Sequence, residues 1–65
     1  MVNIGRNIKK LREKEGISQD RLSKLADISS NTVAKIELND RPNPTIETLQ
    51  KIAKALNVEV DDLIR

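Results

Sequence analysis

A capping residue, a short apolar stripe and a stop recur along this chain, and that punctuation restricts it to short helices. Asn3 precedes Ile4, Ile8 and Leu11 at the i, i+4, i+7 spacing of one helix face, and Gly16 offers a left-handed stop, which predicts a first helix over residues 4–15. Ser18 is the N-cap of a second helix with Leu22, Leu25 and Ala26 on one face, ending near Asp27. Ser29 opens a third over 29–38, carrying Val33 and Ile36; in LNDRPNP, Asn39 and Asp40 precede prolines that disfavour helix before them. Thr45 caps a fourth with Ile46, Leu49, Ile52, Ala53 and Leu56 in phase and Asn57 as its terminator. VDDLIR adds one last turn, with Asp61 and Asp62 near its favourable N-terminal end.

Such short helices do not persist alone in water, so each must be held by packing its Ile/Leu stripe against the others. The eight Ile and seven Leu are read as core. No β-type alternation, internal repeat, low-complexity tract or linker interrupts the pattern, and the expectation is an all-α, compact bundle of five short helices forming a single domain over residues 1–65. A domain of that length buries only about 60% of the surface its unfolded chain exposes, so every apolar residue counts.

Composition narrows the function classes. With no cysteine and no histidine, disulfides, thiolate catalysis and the common zinc ligand sets are excluded, and no metal or cofactor is expected. No nucleophile and base combination or phosphate-cradling glycine loop is present, so an enzyme is not expected either. The absence of aromatic rings disfavours single-stranded nucleic acid as a ligand, because such surfaces stack bases on aromatics. No apolar run approaches the roughly 18 residues of a membrane span, and MVNIGRNIKK lacks a signal peptide's hydrophobic stretch, which points to the cytoplasm. Residues 1–41 carry nine Lys/Arg against six Asp/Glu, while residues 42–65 carry three against four; the basic excess lies at the front, where a polyanion can use it.

The second and third helices are separated by a turn of only a few residues, and two short helices so joined cross steeply, in the manner of a DNA-binding helix-turn-helix. Read whole, IGRNIKKLREKEGISQDRLSKLADISSNTVAKIELNDRPNPTIETLQKIAKALNVEVDDLI resembles the phage repressor and Cro type of helix-turn-helix domain, the XRE-like family. The resemblance covers nearly the whole chain through LRE, ISQ, the small-residue turn, KIE, NPT and LQKIAKAL. It implies a lambda-repressor-like bundle in which Gln19 to Ala26 is the scaffold helix and Ser29 or Ser30 to Leu38 is the recognition helix.

Residue chemistry agrees with that assignment. A major groove about 12 Å wide admits one helix, and base edges are read by short amide, hydroxyl or cationic side chains. The polar face of ISSNTVAKIE offers them: Asn31 has the donor and acceptor that pick out adenine, Lys35 one turn later donates to guanine O6 and N7, and Ser30 reads either base or a phosphate. Thr32 supplies a hydroxyl to phosphate or a methyl to thymine, unless local backbone bonding claims it. The resemblance assigns Gln19 to a phosphate at the start of the scaffold helix, where free backbone N–H groups also point. Asn39, Arg41 and Asn43 are the donors for a second phosphate clamp in the loop after the third helix. Arg6, Lys9, Lys10 and Lys14 read first as a solvated face and only secondarily as an extension of the footprint. Arg12 is set apart: in the family the arginine of LRE forms a structural ion pair with the glutamate of the third helix, here Glu37, and breaking one partner of a mostly buried pair costs roughly 3–5 kcal/mol.

Some positions depart from the family pattern. Asp27 and Asn39 stand where glycine is usual, though both types tolerate the left-handed conformation better than other residues. Ser23 replaces the usual alanine, and Leu38 is apolar where polar or basic residues are common. Because one such domain contacts only about four or five base pairs, useful specificity needs two copies on a palindromic site with half-sites about 34 Å apart. A homodimer on double-stranded DNA is therefore expected, and the family resemblance implies Val60 and Ile64 at its interface and Leu63 in the core. The expected function is a sequence-specific transcriptional regulator, chiefly a repressor; the alternative is an antitoxin or other protein-interaction module that retains the fold and binds a protein partner.

Overall fold

The computed structural model describes residues 3–38 and 44–65. Its helices are α1 (Ile4–Lys14), α2 (Gln19–Ala26), α3 (Ser30–Glu37), α4 (Ile46–Leu56) and α5 (Val60–Leu63), with no strand among the described residues. Each start is set by a local bond. The side chains of Asn3, Ser18, Ser29 and Thr45 accept from the backbone N–H three residues on, at 2.9–3.1 Å. Caps of this kind are worth about 1 kcal/mol each. At α5 the bond runs the other way: the Glu59 backbone N–H donates to Asp62 Oδ2 at 3.0 Å.

Three ends share one device. Gly16, Asp27 and Asn57 adopt φ of 70°, 57° and 60°. In each case the next residue's N–H bonds back across the last turn: Ile17 to the Arg12 carbonyl, Ile28 to that of Ser23 and Val58 to that of Ala53. This is the Schellman pattern, which turns an apolar side chain inward just past the helix. Ile17, Ile28 and Val58 all pack on the core.

That core is aliphatic. Ile8, Leu22, Val33, Ile52 and Leu63 are its largest fully buried side chains, joined by Ile36, Leu49 and Leu56, and burying each stabilises by about 1.5–3 kcal/mol. α2 packs on α3 and α4, α1 on α3 and α5, and α4 on α5. Two residues expected on apolar stripes lie outside it: Leu25 is about half exposed and Ile46 is 64% exposed. Ile46 is the first residue of α4, and a long helical side chain there leans back past the helix start. No described helix is long and apolar enough to cross a membrane.

Candidate nucleic-acid interface

α3 is held from behind by Val33 and Ile36, which are buried in the core. Its opposite face is open: Ser30, Asn31 and Lys35 are exposed, and Leu38, at the helix end, is 77% exposed. Asn31, Lys35 and Leu38 follow i, i+4, i+7, so they share one outward stripe. Lys35 has no ion-pair partner among the described residues. The Ser29 hydroxyl accepts the Thr32 backbone N–H at 3.1 Å and shares a 2.8 Å bond with the Thr32 hydroxyl. Thr32 is thus half-buried and engaged locally, while the backbone N–H groups of Ser30 and Asn31 lie in the helix's first turn, where no intrahelical acceptor reaches them.

The tilt of α3 is set by a polar cluster joining three helices. Arg12 of α1 donates through Nε to Glu37 Oε2 at 2.7 Å and through Nη2 to Oε1 at 3.0 Å, and its Nη1 donates to the Ile17 carbonyl at 2.8 Å. Gln19, at the start of α2, donates its amide to Glu37 Oε1 at 3.0 Å. The side chains of Arg12 and Glu37 are only 11% and 3% exposed. Burial pushes the Glu37 carboxyl up, but the hydrogen bonds from Arg12 and Gln19, with the nearby charges of Arg12 and Lys9, outweigh it and hold Glu37 below its ordinary value. The same hydrogen bond to Glu37 is the main reason the Arg12 guanidinium lies above its ordinary value. Gln19 therefore belongs first to this cluster; toward a phosphate it has its remaining amide hydrogen and the free N–H groups of the first turn of α2.

Ser23 is buried in α2, its hydroxyl satisfied by the Asp20 carbonyl at 2.6 Å. At the far side, Leu63 is buried, Val60 is half-buried against the core and Ile64 is 39% exposed. The loop donors Asn39, Arg41 and Asn43 lie outside the described residues. Two residues escaped the sequence reading. The Asn7 amide donates to the carbonyls of Leu63 and Arg65 at 2.9 and 3.0 Å, tying the last turn to α1. Gly5 is buried where α1 meets α3, and a β-carbon there would strike the Ile36 carbonyl and crowd the Glu37 backbone. Its one sequence signal is a glycine inside a helix, a placement that costs about 1 kcal/mol relative to alanine without a packing reason.

Comparison with known proteins agrees with this geometry. A helix-turn-helix family model matches residues 8–63. The HTH-type transcriptional regulator SinR of Bacillus subtilis (strain 168) is 34% identical over 61 residues, 94% of this chain and 55% of the regulator. Among solved structures, the restriction-modification controller protein C.AhdI from Aeromonas hydrophila aligns with a TM-score of 0.90 at 30% identity, covering 97% of this chain and 94% of that one. A structure of SinR in complex with DNA aligns with a TM-score of 0.89 at 35% identity, over 92% of this chain and 95% of that one. The chain spans about half the length of the curated relatives it matches.

Proposed function

The chain belongs to the helix-turn-helix family, and from that premise we propose that it is a sequence-specific double-stranded DNA-binding transcriptional regulator that represses by occupying a palindromic operator as a homodimer. The observation that carries this reading is the stripe of α3, where exposed Asn31 and Lys35 stand opposite buried Val33 and Ile36. A helix anchored by its apolar side at a two-helix corner presents its polar side to a major groove. The likeness to a regulator solved in complex with DNA supports DNA as the ligand.

In this reading Ser30, Asn31 and Lys35 read base edges. Gln19 and Thr32 line the phosphate path with the first-turn N–H groups of α2 and α3, and the family resemblance adds Asn39, Arg41 and Asn43 as further phosphate donors. Arg12 and Glu37 fix the helix angle, and Val60 and Ile64 lie at the dimer contact. Residues 1–65 act as one DNA-binding domain in the cytoplasm, and no chemical step is involved.

Selection from a random double-stranded pool at a stated salt concentration tests this, because phosphate contacts make any single affinity salt-dependent. A consensus should emerge, and Asn31→Ala and Lys35→Ala should each weaken binding to it by about 1–3 kcal/mol while relaxing preference at one base pair. Equal losses on consensus and random duplexes would mean these side chains do not read bases, and a pool without enrichment would overturn the function.

A further inference from the structure

We infer that Lys9 is a DNA-backbone clamp, its ammonium holding the phosphate that passes the C-terminal end of α3. This rests on the reading of α3 as the groove-entering helix and adds to it a contact from a different helix.

The geometry comes from two neighbours of Lys9. α1 meets the last turn of α3 at Gly5, whose missing β-carbon leaves room for the Ile36 carbonyl and the Glu37 backbone, and at Arg12, which grips the Glu37 carboxylate. Lys9 is four residues after Gly5 and three before Arg12, so it shares their flank of α1. It is exposed, and no carboxylate among the described residues lies within ion-pair distance of it. Its charge is felt at Glu37, but that carboxylate is already held by Arg12 and Gln19. Arg6, Lys10 and Lys14 form a separate i, i+4, i+8 stripe, turned away from the flank that faces α3.

Electrostatics gives this cation a task. The first turn of α3 attracts phosphate through its free N–H groups, whereas its last turn carries the opposite end of the helix dipole. The outward residue there, Leu38, is an exposed side chain without a donor. A groove wall passing that end meets carbonyls and a leucine, and Lys35, the one cation of that turn, is assigned to a base edge in this reading, so the phosphate there needs a cation supplied from outside α3. Lys9 is the exposed cation that α1 places beside this turn, and a flexible four-carbon stem with a point charge suits a backbone contact.

The test is the salt dependence of binding, measured for the chain on its selected duplex and on a random-sequence duplex. Losing one phosphate contact lowers the slope of log K against log salt by about 0.9. Lys9→Gln should show that loss equally on both duplexes, so its deficit against the wild type shrinks about 3.5-fold as salt rises from roughly 50 to 200 mM. Base preference and melting temperature should stay unchanged, Lys9→Arg should keep the wild-type slope, and Lys10→Gln, an identical charge change on the other stripe, should leave it within about 0.3 of the wild type's. A Lys9→Gln protein that binds with the wild-type slope overturns the clamp while leaving the DNA reading intact; a wild-type chain that binds neither duplex overturns both.

Discussion

Glu37 is a carboxylate in surroundings that disfavour charge, and it stays ionised because three donors from Arg12 and Gln19 reach it. The stability it contributes follows from the direction of its shift. A carboxyl whose folded value lies below its unfolded one stabilises fully above the unfolded value, and that contribution is lost as pH falls through the folded one. Urea titrations from neutral pH down should therefore show the domain weakening below about pH 4.5, the ordinary value for this group. Glu37→Gln should be less stable at neutral pH by roughly 3 kcal/mol, because Arg12 is left without its counter-charge, and should have a flatter acid limb. Parallel pH curves for the two proteins would mean that other carboxylates govern acid unfolding. Gly5 is the complementary case: its value lies in an absent atom, since any side chain there would press α1 away from the turn of α3 that holds Glu37.

At the scale of elements, Asp27 ends α2 at φ 57° in the left-handed region, which costs a residue with a β-carbon more than glycine. Its negative charge also sits at the unfavourable end of the α2 dipole. Asp27→Gly should raise stability by roughly 0.5–1 kcal/mol, or a few degrees in Tm, after allowing for glycine's added freedom in the unfolded chain. DNA preference should not change; an unchanged or lowered Tm would show that the aspartate carries no strain. Such positions explain what was legible in the sequence. Helix starts and stops depend on bonds within five residues, so Ser18, Ser29, Thr45, Gly16 and Asn57 marked α1 to α4 to within about a residue, and the outward face of α3 followed from its period. Contacts between distant segments left no local trace. The Asn7 bonds to Leu63 and Arg65, the Gln19 bond to Glu37 and the fit of Gly5 against α3 each need the fold before they can be seen. Ile46 shows the converse, being in phase with the α4 stripe yet beyond the edge of the core.

For the whole molecule the proposed homodimer raises the question of how two copies would meet. The body measures 27 × 21 × 20 Å, shorter in every direction than the roughly 34 Å between successive half-sites on one face of a duplex. Copies reading adjacent grooves can therefore touch only along facing edges, and any contact is small and weak without DNA. Around α5, the edge proposed for that contact, Ile64 lies with exposed Glu59 and Asp61, so pairing there across a two-fold axis would bring like charges together. Salt should then act in opposite directions, favouring self-association by screening the acids while weakening DNA binding by competing for phosphate. Ile64 is the usable probe, because Val60 packs on the core and the Asn7 bonds keep the last turn fixed to α1. Ile64→Glu should keep the wild-type melting temperature and half-site affinity while losing roughly tenfold on the full palindrome, about 1.4 kcal/mol of pairing. Gel-shift titrations on half and full sites, with sedimentation at two salt concentrations, check both parts. Equal losses on the two sites would place Ile64 outside the dimer contact, and a full site that binds only one chain would remove the homodimer altogether.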